Sequence, residues 1–158
     1  MQRRTVLVTL NLIVALTVAG TALAQTEPLF GSWKLDLAKS KYNPGPAPKS
    51  ATIKYEASPG GFKSSAQTFT AHGELLHYQY NAKFDGKDSP VKGNPEADTL
   101  AWRKIDDRTY EVVAKKGIKP TITSGIVVAP DGQSRVATQT GTTVKGQPVS
   151  NTLFWERE

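Results

Sequence analysis

Leu76-His77-Tyr78-Gln79-Tyr80-Asn81-Ala82-Lys83-Phe84 is the stretch that decides the fold of this chain. Leu76, Tyr78, Tyr80, Ala82 and Phe84 take every second position, and His77, Gln79, Asn81 and Lys83 fill the places between. Successive side chains of a strand point to opposite faces, so a strict period of two describes a strand with one dry and one wet face. A helix would space its apolar residues three and four apart. One-sided burial of this kind belongs to antiparallel sheet.

The same rhythm extends in both directions. In residues 31–37, Trp33, Leu35 and Leu37 alternate with Ser32, Lys34 and Asp36. In residues 51–57, Ala51, Ile53, Tyr55 and Ala57 alternate with Thr52, Lys54 and Glu56. Further runs rich in Thr, Val, Ile and aromatics predict strands near 62–70, 99–104, 109–115, 121–129, 135–140 and 149–157. Turn dipeptides separate them, among them Pro59-Gly60, Asp85-Gly86, Lys116-Gly117, Asp131-Gly132 and Lys145-Gly146. A meander of that many strands must close or fold over to hide its apolar face. The expected fold is all-β, an antiparallel up-and-down β-barrel of about 8–10 strands, because closure removes exposed strand edges. A two-sheet β-sandwich is the alternative.

Two stretches break the rhythm. Residues 39–50 carry Pro44, Pro46 and Pro48, which cannot donate to a ladder, so an extended and fairly stiff excursion is expected there. Residues 88–98, with Pro90, Gly93 and Pro95, read as an irregular connection or a short edge strand.

Residues 1–24 read as a cleavable signal peptide. Arg3 and Arg4 precede an apolar stretch over 6–18, and the small-residue site Ala22-Leu23-Ala24 places cleavage before Gln25. The apolar run falls short of the roughly 20 residues that span a bilayer, so no integral membrane segment is expected after cleavage. The chain has no cysteine, hence no lipid anchor of the cysteine type and no disulfide. The expectation is a bacterial periplasmic or secreted protein, with residues 25–158 forming one domain. Without Arg3 and Arg4 the 20 basic residues fall to 18 against 14 acidic ones, a net charge of about +4. The lysines are spread over the strands and turns rather than gathered on one element, which argues for a solvated surface and against a nucleic-acid partner.

Both ends resemble a known superfamily. Phe30-Gly31-Ser32-Trp33-Lys34-Leu35 is similar to the Gly-x-Trp opening of calycin barrels, the lipocalins and fatty-acid-binding proteins. Phe154-Trp155-Glu156-Arg157-Glu158 is similar to the aromatic-Glu-Arg ending of their last strand. The whole chain most resembles small secreted bacterial lipocalin-like proteins, a likeness that brings a fold and no activity. The resemblance implies neighbouring first and last strands, with Trp33 packed on Arg157 at the closed end as a structural seam. A guanidinium over an indole contributes on the order of 1 kcal/mol. The departures are equally specific. The proline-broken interval after the first strand has no room for the helical lid of fatty-acid-binding proteins. The positions matching their carboxylate-holding Arg-x-Tyr are Leu153 and Trp155, so a weakly charged ligand is expected. Asp107-Arg108-Thr109-Tyr110 is only loosely similar to the lipocalin Thr-Asp-Tyr motif.

Catalytic and metal chemistry have little to stand on, and neither a metal nor a cofactor is expected. His72 and His77, five apart, would face opposite sides of one strand, although one inward histidine would leave haem ligation open. Asp85, Asp88, Glu96 and Asp98 do not follow the alternate spacing of an EF-hand, and aspartates in turns commonly bond their own backbone. There is no Gly-x-Ser-x-Gly elbow, no cysteine nucleophile and no glycine-rich phosphate loop. What remains is a binding barrel, with Tyr55, Tyr78, Tyr80, Phe84, Trp102, Leu153 and Trp155 as candidate ligand-binding residues. The small residues Ala51, Ala57, Ala66, Ala82 and Ala114 share faces with these and would leave space for a small apolar molecule. Two other classes stay open, a non-catalytic envelope interaction module and an enzyme acting on a substrate held in the barrel.

Overall fold

Ten antiparallel strands run through the computed structural model, which describes residues 27–158. The expected signal peptide lies outside the described residues. The strands are β1 (Gly31–Lys41), β2 (Ser50–Ser58), β3 (Gly61–Phe69), β4 (Leu75–Ala82), β5 (Asp85–Pro90), β6 (Thr99–Lys104), β7 (Thr109–Lys116), β8 (Lys119–Val128), β9 (Ser134–Thr142) and β10 (Pro148–Arg157). They form one sheet in the order β4-β3-β2-β1-β10-β9-β8-β7-β6-β5. Each strand therefore pairs with its sequence neighbours except at β4 and β5, and β1 pairs with β10 to join the two halves. The result is a nearly closed barrel, not a sandwich. No helix is present among the described residues.

The period of two sets the faces. On β4, Tyr80 and Ala82 are buried while His77, Gln79 and Asn81 are exposed. On β7, Tyr110, Val112 and Ala114 all turn inward. Each large apolar side chain taken from water in this way contributes roughly 1.5–3 kcal/mol. The β1 strand runs four residues beyond the alternating segment, past an irregularity between Asp36 and Lys41. There the Ser40 hydroxyl donates to Asp36 O (2.6 Å) and accepts from Phe154 N (2.9 Å), which repairs the ladder across the bulge.

Alternate turns of a meander lie at one end. The β2–β3, β4–β5, β6–β7 and β8–β9 turns surround the closed end, where β1 begins. The proline-containing loop 42–49 and the 91–98 segment lie at the other. Residues 85–90 are the short edge strand, and 91–98 are the irregular connection. That connection covers the break between β4 and β5. Val91 and Ala97 are buried, and Gly93, with φ of +83°, lies so close to His77 O that a Cβ would sit 3.0 Å from it.

Candidate functional site

The closed end is plugged by aromatic rings. Phe62 stacks on Phe84 with centroids 4.8 Å apart and meets Trp102 edge-on at 5.2 Å, and Tyr55 meets Trp102 at 5.7 Å. Edge-to-face and offset arrangements suit the ring quadrupoles. Trp33 is completely buried beside them and donates its indole N–H to Leu29 O at 2.8 Å. Arg157 reaches across this end, with its guanidinium carbon 4.4 Å from the Trp33 ring centroid. It donates to Gly132 O, Phe30 O and Pro28 O at 2.7, 2.7 and 2.9 Å. Gly31, at φ +127°, leaves the space this requires, since a Cβ there would collide with the guanidinium.

Above the plug lies a cavity of about 370 Å³. This volume falls in the range of small-molecule sites. Tyr55, Tyr78, Tyr80, Trp102, Leu153 and Trp155 all line it, so six of the seven candidate ligand residues share one space. Phe84 is not among the lining residues. It sits in the β4–β5 turn, where its ring joins the plug between Phe62 and Tyr110. Of the small residues, Ala66 and Ala114 line the cavity, while Ala51 and Ala82 are buried elsewhere and Ala57 is exposed. Burial pushes the Tyr78 phenol up to about 12 and raises those of Tyr55 and Tyr80. These hydroxyls remain neutral at ordinary pH.

One lining residue has no counterpart in the sequence reading. Arg135 on β9 is 2% exposed, pairs in register with Trp155, and points into the barrel. Its guanidinium carbon lies 4.8 Å from the Trp155 ring, 5.2 Å from Trp33 and 5.4 Å from Tyr55. None of the ion pairs among the described residues involves it. Its Nε and Nη2 have no hydrogen-bond partner there, and neither do Trp102 Nε1, Trp155 Nε1 or Ser64 Oγ, whose side chains line the same cavity. Burial pulls the guanidinium pKa down, with the adjacent Tyr55 opposing that shift.

The mouth is polar. Asn94, Glu96, Thr143 and Asn151 line it together with Val149. Glu96 is held there, because its carboxylate accepts from Val144 N at 2.8 Å and its carbonyl from Thr121 Oγ1 at 2.9 Å. The other acidic residues are likewise engaged singly. Asp85 accepts from Lys87 N, Asp88 pairs with Lys115, and Asp98 accepts from Lys116 Nζ and Gly117 N. Both histidines are exposed, and His77 faces outward beside Ser65 and Gln79. No group of three or more His, Cys, Asp or Glu able to hold a metal occurs among the described residues.

The nearly closed antiparallel barrel, with β1 paired to β10, fits the calycin fold expected from the two ends of the chain. The chain is similar in fold to an S-type phycobiliprotein lyase, CPES from Guillardia theta, at TM-score 0.54 and 12% identity over 84% of this chain and 89% of that one. Zebrafish ileal bile acid-binding protein, solved with cholic acid, aligns at TM-score 0.48 and 8% identity over 83% of this chain and 99% of its own. At these identities the likeness concerns the fold. No family model and no curated protein sequence matches the chain.

Proposed function

We propose that this protein is an exported binder of a small, largely apolar molecule, a carrier or sensor that holds its ligand inside the barrel. The observation that carries the reading is the cavity of about 370 Å³ walled by Tyr55, Tyr78, Tyr80, Trp102, Leu153 and Trp155. A packed core leaves few voids larger than one water, whereas this space is on the order of a dozen water volumes. Aromatic and aliphatic walls with a polar rim are the usual make-up of a small-molecule site. The test is saturable binding of N-phenyl-naphthylamine, an uncharged fluorescent probe, to the folded mature protein. A probe signal that only rises linearly with concentration, as for adsorption to the surface, sinks the reading.

Export rests on the Arg3–Arg4 and Ala22-Leu23-Ala24 pattern. The protein recovered from a bacterial envelope fraction should have a mass beginning at Gln25. An intact leader in the membrane fraction would contradict it.

A further inference from the structure

The geometry points to Arg135 as an anion anchor, so that the ligand of the proposed site is an amphipathic monocarboxylate bound head-down, with its carboxylate on Arg135 and its apolar body towards the mouth. This inference rests on the binding-barrel reading and names the ligand class. It starts from an imbalance in the interior. A buried guanidinium normally faces a carboxylate, because an unneutralised charge in a low-dielectric interior is costly. Here none of the ion pairs among the described residues supplies one. Residues 1–26 contain no Asp or Glu, so the remainder of the chain holds no side-chain carboxylate for the role either. The one carboxylate side chain lining the cavity among the described residues, Glu96, is at the mouth and committed to Val144 N.

The surrounding polar atoms have the same bias. Arg135 Nε and Nη2, Trp102 Nε1 and Trp155 Nε1 are donors with no acceptor in good hydrogen-bond geometry, the nearest hydroxyls being Tyr55 beside Arg135 and Tyr80 beside Trp102 and Ser64. Buried polar groups are almost always satisfied, and a cluster of unsatisfied donors on one cavity calls for an acceptor-rich partner. The rings of Trp33, Tyr55 and Trp155 offset part of the charge through their π faces, yet they accept no in-plane N–H. A carboxylate matches the planar fork of a guanidinium and brings two acceptor oxygens. A second negative charge would find no cation, since Arg135 is the one Lys or Arg lining the cavity among the described residues. Between Arg135 and the mouth the walls are Leu100, Val112, Ile122, Ile126 and Leu153, which suit an apolar body. The anchor is on β9. The last-strand positions where the superfamily resemblance would place an arginine and a tyrosine hold Leu153 and Trp155 instead.

Competition against N-phenyl-naphthylamine tests this on the mature chain, with dodecanoate, methyl dodecanoate and dodecanol as competitors. They share one tail and differ in the head. Dodecanoate is expected to displace the probe at concentrations lower by on the order of ten- to a hundredfold, the worth of a charge-assisted hydrogen bond. In Arg135→Met that preference should vanish while the probe still binds. Equal competition by all three in the wild type overturns the anchor and leaves the binding barrel standing. A dodecanoate preference that persists in Arg135→Met also overturns it. Failure of the wild type to bind the probe or any competitor overturns the barrel reading together with the anchor. If Arg135→Met does not fold, the wild-type series decides alone.

Discussion

The Arg157 guanidinium lies 4.4 Å from the centroid of the Trp33 ring, and three backbone carbonyls hold it there. The two residues face each other directly across the β1–β10 ladder. Arg157, at the end of β10, therefore ties the β8–β9 turn and the segment before β1 to the last strand, which is more than a ring contact. Trp33→Ala should cost about 3–5 kcal/mol, the loss for a core aromatic. Arg157→Ala should cost about 3 kcal/mol, well above the ring contact alone, because each carbonyl it serves loses a charged donor. Denaturant unfolding of the single and double variants should show coupling between them. Strictly additive losses would mean that the ring and the guanidinium act independently.

Arg135 separates a ligand-binding role from a structural one through the stability of the empty protein. If the charge waits for an anion, the ligand-free barrel carries its desolvation cost. Arg135→Met should then leave stability unchanged or raise it by about 1–3 kcal/mol, as when buried charges are replaced by apolar side chains of similar length. A drop of several kcal/mol in urea unfolding would instead make the stack on Trp33, Tyr55 and Trp155 a structural element.

Ala114 is the position from which the cavity can be filled. It lines the space from β7, where it follows Tyr110 and Val112 on the strand's buried face. Ala114→Phe should abolish binding of N-phenyl-naphthylamine at a cost of only about 1–3 kcal/mol, because there is room to receive the ring. A variant that unfolds outright would indicate a solid core at that point.

Alkaline pH should unfold the barrel through its tyrosines. Tyr55, Tyr78 and Tyr80 have phenol pKa values raised by burial, that of Tyr78 to about 12 against an ordinary value of 10.0. Below pH 10 both folded and unfolded chains keep these phenols neutral, and the full stability is present. Above it the unfolded chain releases protons that the folded chain retains, so stability falls as pH rises from 10 towards 12. Phenolate absorbance should lag behind that of free tyrosine and then rise together with loss of the folded signal. Tyrosines that titrate as free phenols in a still-folded protein would contradict their burial.

Local chemistry was enough to write the barrel. Alternation over residues 76–84 and 51–57 put Tyr55, Tyr78 and Tyr80 on one face. These features depend on a residue and its neighbours two positions away, so they are visible in one dimension. Phe84 shows where that reach ends. It continues the alternation in sequence, but β4 stops at Ala82 and the turn carries the ring into the plug. Arg135 lay further beyond it. Within Ser134-Arg135-Val136-Ala137 the charged residue points inward and Val136 does not, so the apolar pattern of the strand gives no phase. The phase comes from the register of β9 against Trp155 on β10 and Val128 on β8. Sequence alone determined the strands and the turns, while the meeting of first and last strands was implied by the likeness of the two ends to calycins and is seen in the β1–β10 ladder. Only the tertiary structure decided that an arginine sits unpaired at the bottom of the cavity, because charge pairing depends on which side chains meet across strands distant in the chain.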